Sequence, residues 1–485
     1  MSPLAWSRLR LDDSRSSWET VPVMRASLLP LASLVCLPLA VACGDSDQRQ
    51  DGDGSSISSL GGETTADSGN SNSGNSSSNS TTNTGDGDGD DTGDGDGDAD
   101  TGDGDADGGT GNHKWDVISI PDGNHQCGDG GGNGNSDFSY IWIANSSQGT
   151  MTKLNTDTMV EEGRYYMRPD GAGSPSRTTV SLSGNVAISA RTSGGGVTKF
   201  WADIADCEES NGMPGIQTSS GANDILAWDM EECRAWHQPF VGKNYTSNRP
   251  MAWAPGELNE GTCLYENEKL WTSGSNGQTE VLLLDGETGE IEETINIAAV
   301  GAGYLYGGAV DGEGNFWGLQ NSSKIIRVDR NDFTVQDWPV PSGPGYGIAI
   351  DAQSRVWTCG GGHASRFDPE TETWQSTPGA SSGIGGCMTD GEGTLYHSRY
   401  PQGVIVAIDT DTVAPVGEFV IPAYVHGISI DFKGMVWGVT FAGSSVYRLD
   451  PETALFDTYS GLVGAYTYSD MTGFGLSSVS STPSG

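Results

Sequence analysis

The sequence is poor in basic residues. Its 485 residues include 24 Lys and Arg against 65 Asp and Glu, which gives a net charge of −41. Binding to nucleic acid or to an anionic lipid surface needs clustered Lys and Arg, so a charge of this sign argues against both kinds of partner. It favours solubility, divalent cations and basic partners instead.

Patterns for several kinds of chemistry are also missing. The sequence contains no C-x-x-C pair, which argues against a zinc ribbon or a thiol redox motif. It contains no H-E-x-x-H motif and no phosphate-binding loop. Helix-favouring runs are scarce, whereas Gly (72) and Trp (14) are frequent. This composition is typical of many short strands joined by tight turns, and it predicts an all-β protein.

The N-terminus carries an export signal. Met24–Arg25 begins an apolar stretch that is too short and too interrupted by proline for a comfortable membrane span. It ends in Ala40-Val41-Ala42-Cys43, which resembles a bacterial lipoprotein signal, although the usual leucine stands one place nearer the cysteine than Leu39 does. The resemblance implies that Cys43 is lipidated and becomes the mature N-terminus. The alternative is an ordinary secretory signal cut near Ala42.

These features predict the destination of the chain. We expect residues 1–43 to be an upstream extension and a lipoprotein signal peptide, and the mature protein to be exported. An outer-membrane or cell-surface lipoprotein follows from the lipidated cysteine, and a periplasmic or secreted protein from the alternative signal. In the lipoprotein case the chain touches the membrane through the lipid anchor only.

Residues 44–112 form a low-complexity acidic segment. Ser, Asn, Thr and Gly dominate its first half, and alternating Gly and Asp dominate its second. Such a composition buries too little surface to offset its ordering entropy, so we expect a disordered linker that acts as a stalk. The alternating Asp residues also suggest weak, non-specific calcium association, because calcium prefers oxygen ligands.

Six cysteines remain once Cys36 and Cys43 are assigned to the signal. An even number in an exported chain indicates disulfides, and six cysteines allow fifteen connectivities. The pairing that we predict is Cys207–Cys233, Cys359–Cys387 and Cys127–Cys263.

The folded part, residues 113–485, is built from repeats of about 40 residues. Aspartates that follow a short apolar strand recur at spacings of 40, 39 and 41, at Asp311, Asp351, Asp390 and Asp431. Six residues after each stands a large aromatic: Trp317, Trp357, Tyr396 and Trp437. A second aspartate closes a later turn, at Asp329, Asp368, Asp409 and Asp450. Weaker copies upstream bring the number of units to seven.

Each unit is predicted to form four strands, which is the signature of a β-propeller blade. A blade exposes both faces of its sheet, and stacking blades around an axis buries them. We therefore expect a seven-bladed β-propeller in which the aromatics pack between sheets. Asp470 continues the spacing of the first aspartates of the repeats, but no second aspartate turn follows it. The unit that contains Trp142, in contrast, lacks a first strand. The C-terminal strand is therefore predicted to complete blade one and close the ring.

Two insertions interrupt the repeats. One, near residues 203–225, is predicted to follow a third strand, and the other, near 254–266, to split a first hairpin. An eighth blade is the alternative, but the extra length lacks an aromatic-to-aspartate pair. The first insertion contains a degraded calcium-loop pattern in which Glu209 and Asn211 occupy ligand positions, while Met213 and Pro214 do not fit.

The repeats over roughly residues 138–476 resemble the streptogramin B (virginiamycin B) lyase and NHL-like propellers. The resemblance lies in the G-[IV]-x-[IV]-D-x-x-G-x-[VF]-W pattern and in the R-[VFL]-D turns. It implies, for the lyases, that histidines on neighbouring first strands supply a base and that a glutamate helps to hold Mg²⁺ during lactone opening. Here VHGIS places His426 at the matching position, but Gly385 and Tyr424 stand where the second histidine and the glutamate are expected.

Tyr306, Tyr346 and His426 share one position in their repeats. Each precedes a first strand, so all three should face one mouth of the central channel, which is a common place for ligands. The alternative is that they only pack the rim. His363 and His397 follow second strands, and we expect them near the opposite face.

The functional hypothesis is a binding or scaffolding module of the cell envelope. We expect a monomer whose partner is an envelope protein, a polysaccharide or a small ligand, with no cofactor that the sequence requires, although Ca²⁺ and Mg²⁺ are candidates. The alternative is an enzyme of the streptogramin-lyase or lactone-acting type that uses His426 as its catalytic base. A spacer that only supports a surface assembly is a third possibility.

Overall fold

The computed structural model describes residues 139–480, apart from Ser193, Glu260, Cys263, Ser322 and Ser342. The predicted signal peptide, the acidic linker and the start of the folded part lie outside the described residues. Within the described residues there are 29 strands and one α-helix, α1 (Phe474–Ser480). No described helix has the length and apolar character that a membrane span needs.

The strands follow one another with short connections. The first seven are β1 (Tyr140–Asn145), β2 (Thr150–Asn155), β3 (Glu161–Tyr166), β4 (Pro175–Val180), β5 (Val186–Ala190), β6 (Val197–Phe200) and β7 (Arg234–Gln238). The next ten are β8 (Ser247–Ala254), β9 (Glu257–Asn259), β10 (Leu264–Glu266), β11 (Lys269–Ser275), β12 (Thr279–Asp285), β13 (Ile291–Asn296), β14 (Gly307–Val310), β15 (Phe316–Gln320), β16 (Lys324–Val328) and β17 (Val335–Pro339). The last twelve are β18 (Gly347–Ile350), β19 (Val356–Gly360), β20 (His363–Asp368), β21 (Thr373–Ser376), β22 (Cys387–Thr389), β23 (Thr394–Ser398), β24 (Val404–Asp409), β25 (Ala414–Val420), β26 (Val425–Ile430), β27 (Val436–Thr440), β28 (Gly443–Leu449) and β29 (Phe456–Ala465). Short 3-10 helices lie at Ile204–Asp206 and Ile297–Val300.

The described strands pair antiparallel in small sheets. Five sheets hold four strands each: β4–β7, β8 with β11–β13, β14–β17, β18–β21 and β22–β25. A seven-stranded sheet runs from β26–β29 into β1–β3, where Ala465 pairs with Asn145. Counting that sheet as two blades gives the predicted number of seven, and this count stays a prediction.

The first strand of each sheet lies on the inside of a ring. β4 contacts β8, and the contacts continue in order through β14, β18, β22 and β26. Space at this inner surface is short: a Cβ on Gly427 of β26 would lie 2.0 Å from the carbonyl oxygen of Thr467. Sheets that follow one another around an axis bury each other's faces, and the fold is an all-β propeller.

The segment after β29 closes the ring. Tyr466 N donates to the carbonyl oxygen of Ala144 at 3.2 Å, and Trp142 N donates to that of Met471 at 2.9 Å. On its other side Thr178 N of β4 donates to Ser469 Oγ at 3.2 Å. The C-terminal segment thus lies beside β1, in the place that the repeat spacing predicts.

The repeated aspartate fixes the turn between the first two strands of a sheet. Asp431 Oδ1 accepts hydrogen bonds from Lys433 N (2.9 Å) and Met435 N (3.0 Å), and its Oδ2 accepts from Trp437 Nε1 (2.8 Å). The same indole bond, also 2.8 Å long, occurs at Asp311 with Trp317 and at Asp351 with Trp357. These tryptophans are fully buried, which confirms the core role predicted for the aromatics.

The two insertions form a long loop and a separate hairpin. The first forms the long loop between β6 and β7, the third and fourth strands of their sheet. The second forms the separate hairpin of β9 and β10, between β8 and β11. Neither insertion adds a four-stranded sheet within the described residues.

Helix α1 covers one end of the channel. Its Phe474, Leu476 and Val479 are buried, and a Cβ on Gly312 would lie 2.5 Å from the carbonyl oxygen of Val479. Between α1 and the inner strands is a cavity of about 50 Å³, lined mainly by apolar groups. This end of the channel is therefore filled by the chain itself.

Candidate functional site

Three sequence-predicted residues meet at the other end of the channel. Tyr306 lies directly before β14, Tyr346 directly before β18, and His426 is the second residue of β26. Hydrogen bonds bring the side chains of these residues together, so the starts of their inner strands lie at one end of the channel. We call this end the mouth, defined by these three residues.

Hydrogen bonds join the three side chains. The hydroxyl groups of Tyr306 and Tyr346 are hydrogen-bonded to each other. Tyr346 OH lies 3.1 Å from His426 Nε2, and Tyr424 OH lies 2.7 Å from His426 Nδ1. Both ring nitrogens of the buried imidazole are therefore engaged by phenols.

Two further tyrosines come from the C-terminal segment. Tyr466 OH bonds to the hydroxyl of Tyr306 and lies 3.3 Å from Tyr346 OH, and its ring stacks on His426 with centroids 5.2 Å apart. Tyr468 stacks on Tyr306 at 5.6 Å. The sequence reasoning used this segment only to close the ring. The alternation Tyr466-Thr467-Tyr468 ahead of Asp470 is the signal in the sequence that could have indicated this role, because alternate residues of a strand lie on the same face.

Two buried arginines lie beside these tyrosines and His426. Together they form what we call the mouth cluster: Arg177, Arg249, Tyr306, Tyr346, Tyr424, His426, Tyr466 and Tyr468. Arg177 lies on β4 and Arg249 on β8, and they are 1% and 4% exposed. Arg177 Nη2 donates to the carbonyl oxygen of Tyr306 at 2.8 Å and to Tyr468 OH, and its guanidinium lies 3.5 Å above the Tyr468 ring. The Arg249 guanidinium lies 4.8 Å from the centre of the Tyr306 ring. Sequence reasoning missed both arginines.

The arginines set the electrostatics of the mouth. Burial lowers the pKa of His426 well below its usual value, and the positive charges of Arg177 and Arg249 lower it further. Burial and then Arg249 lower the pKa of Arg177 to about 10, so this guanidinium stays charged at neutral pH. Burial raises the pKa of Tyr466, but the two guanidinium groups outweigh it and the net pKa shift is downward. The mouth thus combines a neutral imidazole with positive charge.

Exposed aromatic side chains border the mouth cluster. Phe441 is 42% exposed, and its ring centroid lies 4.8 Å from that of His426. Tyr400 is 49% exposed and contacts the ring of Tyr424 edge-on at 5.1 Å. Both follow second strands, β27 and β23, which end at the mouth. The rim thus offers apolar contact surface next to the buried polar groups.

His363 and His397 do not lie at the opposite end, and that prediction was wrong. His397 of β23 pairs with Cys387 at the start of β22, and His363 begins β20 opposite Gly360, the last residue of β19. A second strand runs antiparallel to the first, so its end returns to the end where the first strand begins. Both histidines therefore lie toward the mouth, outside the mouth cluster.

The degraded calcium loop uses its oxygens internally. Glu209 Oε1 accepts from Gly212 N, and Asn211 Oδ1 accepts from Met213 N, each at 2.8 Å. The neighbouring Glu232 accepts backbone amides of the same loop, including Ser210 N at 2.8 Å. In the part of the chain that the structure describes, no group of three His, Cys, Asp or Glu is placed to hold a metal ion. The calcium role of Glu209 and Asn211 stays a prediction.

Two disulfides are present. Cys207–Cys233 links the two ends of the first insertion, and Cys359–Cys387 links β19 to β22 of the neighbouring sheet. The third predicted pair, Cys127–Cys263, and the lipidation site Cys43 lie outside the described residues.

The loop after β21 contains a match to the G-x-S-x-G pattern, with Ser381 at the serine position. In hydrolases this serine stands on a sharp turn between a strand and a helix. Residues 379–383 instead form an irregular connection between β21 and β22. The match does not make a nucleophile site.

Comparisons with known proteins concern the fold. No family profile and no curated protein matches the chain. Similar solved structures include a catalytically inactive virginiamycin B lyase from Staphylococcus aureus with quinupristin, at 15% identity over 66% of this chain and 88% of that chain, with a TM-score of 0.43. A functionally unknown protein from Desulfotomaculum acetoxidans has 9% identity over 68% of this chain and 98% of its own, with a TM-score of 0.47. Apo AztD from Citrobacter koseri has 11% identity over 68% and 96%, with a TM-score of 0.42. At such identities the likeness concerns the fold and not the activity.

Proposed function

We propose that this protein is an exported binding module that holds its ligand at the mouth of a β-propeller. The observation that carries the proposal is the convergence of charged and polar side chains from separate sheets on this one end. Arg177, Arg249, Tyr306, Tyr346 and His426 come from five different inner strands or the turns before them. Convergent polar groups with an apolar border are the usual composition of a ligand site.

Packing alone does not explain this composition. Burying a charged or polar group costs several kcal/mol unless partners replace its lost water, so a rim with only a structural role would favour apolar side chains. At the opposite end Phe474, Leu476 and Val479 of α1 fill the channel, and the buried aspartates there, such as Asp431, are satisfied by amides and an indole of their own turns. The contrast between the two ends favours a functional mouth.

Export and anchoring are part of the proposal. Disulfides persist in oxidising compartments, and Cys207–Cys233 and Cys359–Cys387 support a location outside the cytoplasm. The signal pattern that ends at Cys43 supports a lipid anchor, with residues 44–112 as the stalk. Radiolabelled palmitate should enter the full-length protein and be absent from the Cys43→Ala variant. Label that persists in this variant would remove the anchor from the proposal.

A non-enzymatic role fits the chemistry around His426. Tyr424 stands at the position where the streptogramin B lyases, which the repeats resemble, have a glutamate. Its hydroxyl group is hydrogen-bonded to the imidazole of His426, and this position therefore offers no carboxylate to Mg²⁺. The other ring nitrogen is engaged by Tyr346. We expect no opening of a streptogramin B lactone in the presence of Mg²⁺ above the level of the His426→Ala variant. Turnover that this substitution abolishes would replace the binding role by the lyase role.

The binding role is tested by comparing two exposed phenylalanines. Phe441 borders the mouth at 42% exposure, and Phe432 lies at the opposite end beside Phe474 at 37% exposure. Immobilised full-length protein is incubated with a solubilised envelope fraction, and each retained species is quantified by mass spectrometry. Phe441→Ala should lower the retention of the specific partner, whereas Phe432→Ala should leave it unchanged. Equal retention by both variants and the parent protein would contradict binding at the mouth.

A further inference from the structure

Positive charge is concentrated at the mouth of an otherwise acidic protein. Arg177 and Arg249 belong to the mouth cluster, and a third arginine, Arg191, lies at its edge just after β5. The Arg191 guanidinium lies 4.9 Å from the centre of the Tyr466 ring and donates to Ser174 Oγ at 2.5 Å. Three guanidinium groups thus surround one set of phenols in a chain whose net charge is −41.

The partners of Arg177 within the described chain are neutral oxygens. Nη1 donates to the carbonyl oxygen of Ser176 at 2.7 Å, and Nη2 donates to the carbonyl oxygen of Tyr306 and to Tyr468 OH. Arg177 Nε is buried and makes no hydrogen bond in the described structure. These bonds satisfy donors but do not neutralise the charge, and a buried cation without a counter-charge is costly to keep.

The surroundings of the arginines define the kind of molecule that fits. A planar guanidinium presents paired N–H donors that match the two oxygens of a carboxylate or a phosphate. The phenols of Tyr306, Tyr346 and Tyr466 can donate to the same oxygens when they exchange a bond within the cluster for one to the ligand. The exposed ring of Phe441 provides a flat apolar surface at the rim.

We infer that the ligand of the mouth is an anion, a carboxylate or phosphate group carried on a flat apolar body, and that Arg177 and Arg249 recognise it. This inference rests on the binding role proposed above and adds the chemical class of the ligand. The acidic surface of the rest of the protein repels such a molecule, so the positive mouth selects where it binds.

The probes are three small molecules that each carry one phenyl ring. Benzoate and phenyl phosphate carry the two anionic groups, and benzamide is the neutral counterpart of benzoate. Binding to the full-length protein is measured by isothermal titration calorimetry at low ionic strength. A hydrogen bond to a charged group is stronger than a neutral one, so at least one anion should bind about tenfold or more tightly than benzamide. The stronger of the two anions identifies the group as carboxylate or phosphate.

Variants assign the binding to the mouth. Arg177→Gln should remove the preference for the anion, but its burial risks a folding defect. Arg191→Gln, at a half-buried position, should weaken anion binding several-fold in a folded protein. The matched control is Arg327→Gln, which removes the same charge from an arginine that pairs with Glu313 and Asp329 away from the mouth. Circular dichroism spectra establish that each variant is folded.

The outcomes separate the inference from the proposed function. Tight binding of an anion that Arg191→Gln weakens and Arg327→Gln does not supports the inference. Equal binding of benzoate, phenyl phosphate and benzamide, with loss in Phe441→Ala, overturns the anion and keeps the mouth as a binding site. No binding of any anion, or binding that both arginine variants weaken equally, overturns the inference. In that case the retention experiment with Phe441→Ala still decides the proposed function independently.

Discussion

The hydrogen bond between the repeated aspartate and its tryptophan gives a quantitative prediction. In the Asp431→Asn variant the side-chain oxygen can still accept from the amides of Lys433 and Met435, but the new NH2 group faces the indole N–H of Trp437. Trp437 is fully buried, so this N–H loses its acceptor without gaining water. An unsatisfied buried donor costs about 1–3 kcal/mol, and we expect a loss of that size in the free energy of unfolding.

The chain provides a matched control for this substitution. The aspartate of the next repeat upstream, Asp390, accepts from Glu392 N and Thr394 N at 2.8 and 2.9 Å, but a tyrosine, Tyr396, stands in place of the tryptophan. Asp390→Asn therefore keeps its backbone bonds and should cost less than about 1 kcal/mol. Urea unfolding of both full-length variants, followed by tryptophan fluorescence, measures the difference. Equal losses for the two variants would refute the role assigned to the indole bond.

Three further predictions concern acid, ring closure and metal removal. Burial lowers the pKa of His397 to about 4, below its value of about 6.5 in the unfolded chain. As the pH falls, the unfolded state therefore binds the proton first. The free energy of unfolding should fall by about 3 kcal/mol between pH 6.5 and pH 4. His397→Leu should flatten this decline in the urea midpoint, and an unchanged slope would contradict it. A chain that ends at Ala465 should lose its cooperative thermal transition, because the missing residues close the ring and cover one channel end; a transition at the full-length temperature would contradict closure. EDTA should leave the thermal midpoint unchanged, since the side-chain oxygens of Glu209 and Asn211 bond amides of their own loop. A fall in the midpoint that Ca²⁺ reverses would contradict this.

The repeats made most of the fold predictable. The aspartate and the aromatic residue six positions later recur because one carboxylate accepts hydrogen bonds from the turn and from an indole. The spacing in the sequence therefore reflects the geometry of this turn. The expected positions of both insertions come from the interruptions of that spacing. The ring closure followed from Asp470, which continues the spacing after the last full unit. Periodic local signals of this kind can be read without a structure.

The mouth cluster was predictable only in part. Tyr306, Tyr346 and His426 lie in clear repeats, so their shared position could be read by alignment. Arg177 and Arg249 lie in weak copies of the first strand, and β4 carries a register irregularity between Pro175 and Arg177. Their place on the inner surface could not be read from the spacing. Charges that converge from separate sheets leave no periodic trace in the sequence.

The error on His363 and His397 has a simple origin. The prediction assumed that the starts of first strands and the ends of second strands lie at opposite ends of the channel. In an antiparallel hairpin the end of the second strand lies beside the start of the first. His397 accordingly pairs with Cys387 at the start of β22. The repeat pattern was sufficient to place both histidines near second strands. The end of the channel at which they lie depends, in addition, on the antiparallel direction of strand pairing.

The most direct test of the mouth as a site for anions is a crystal structure of the full-length protein with benzoate. We expect a benzoate whose carboxylate oxygens lie within hydrogen-bond distance of the guanidinium groups of Arg177 and Arg249, with its ring toward Phe441. Benzoate bound only elsewhere on the protein would contradict the account. So would an Arg177 guanidinium that is already paired with a carboxylate of the chain itself.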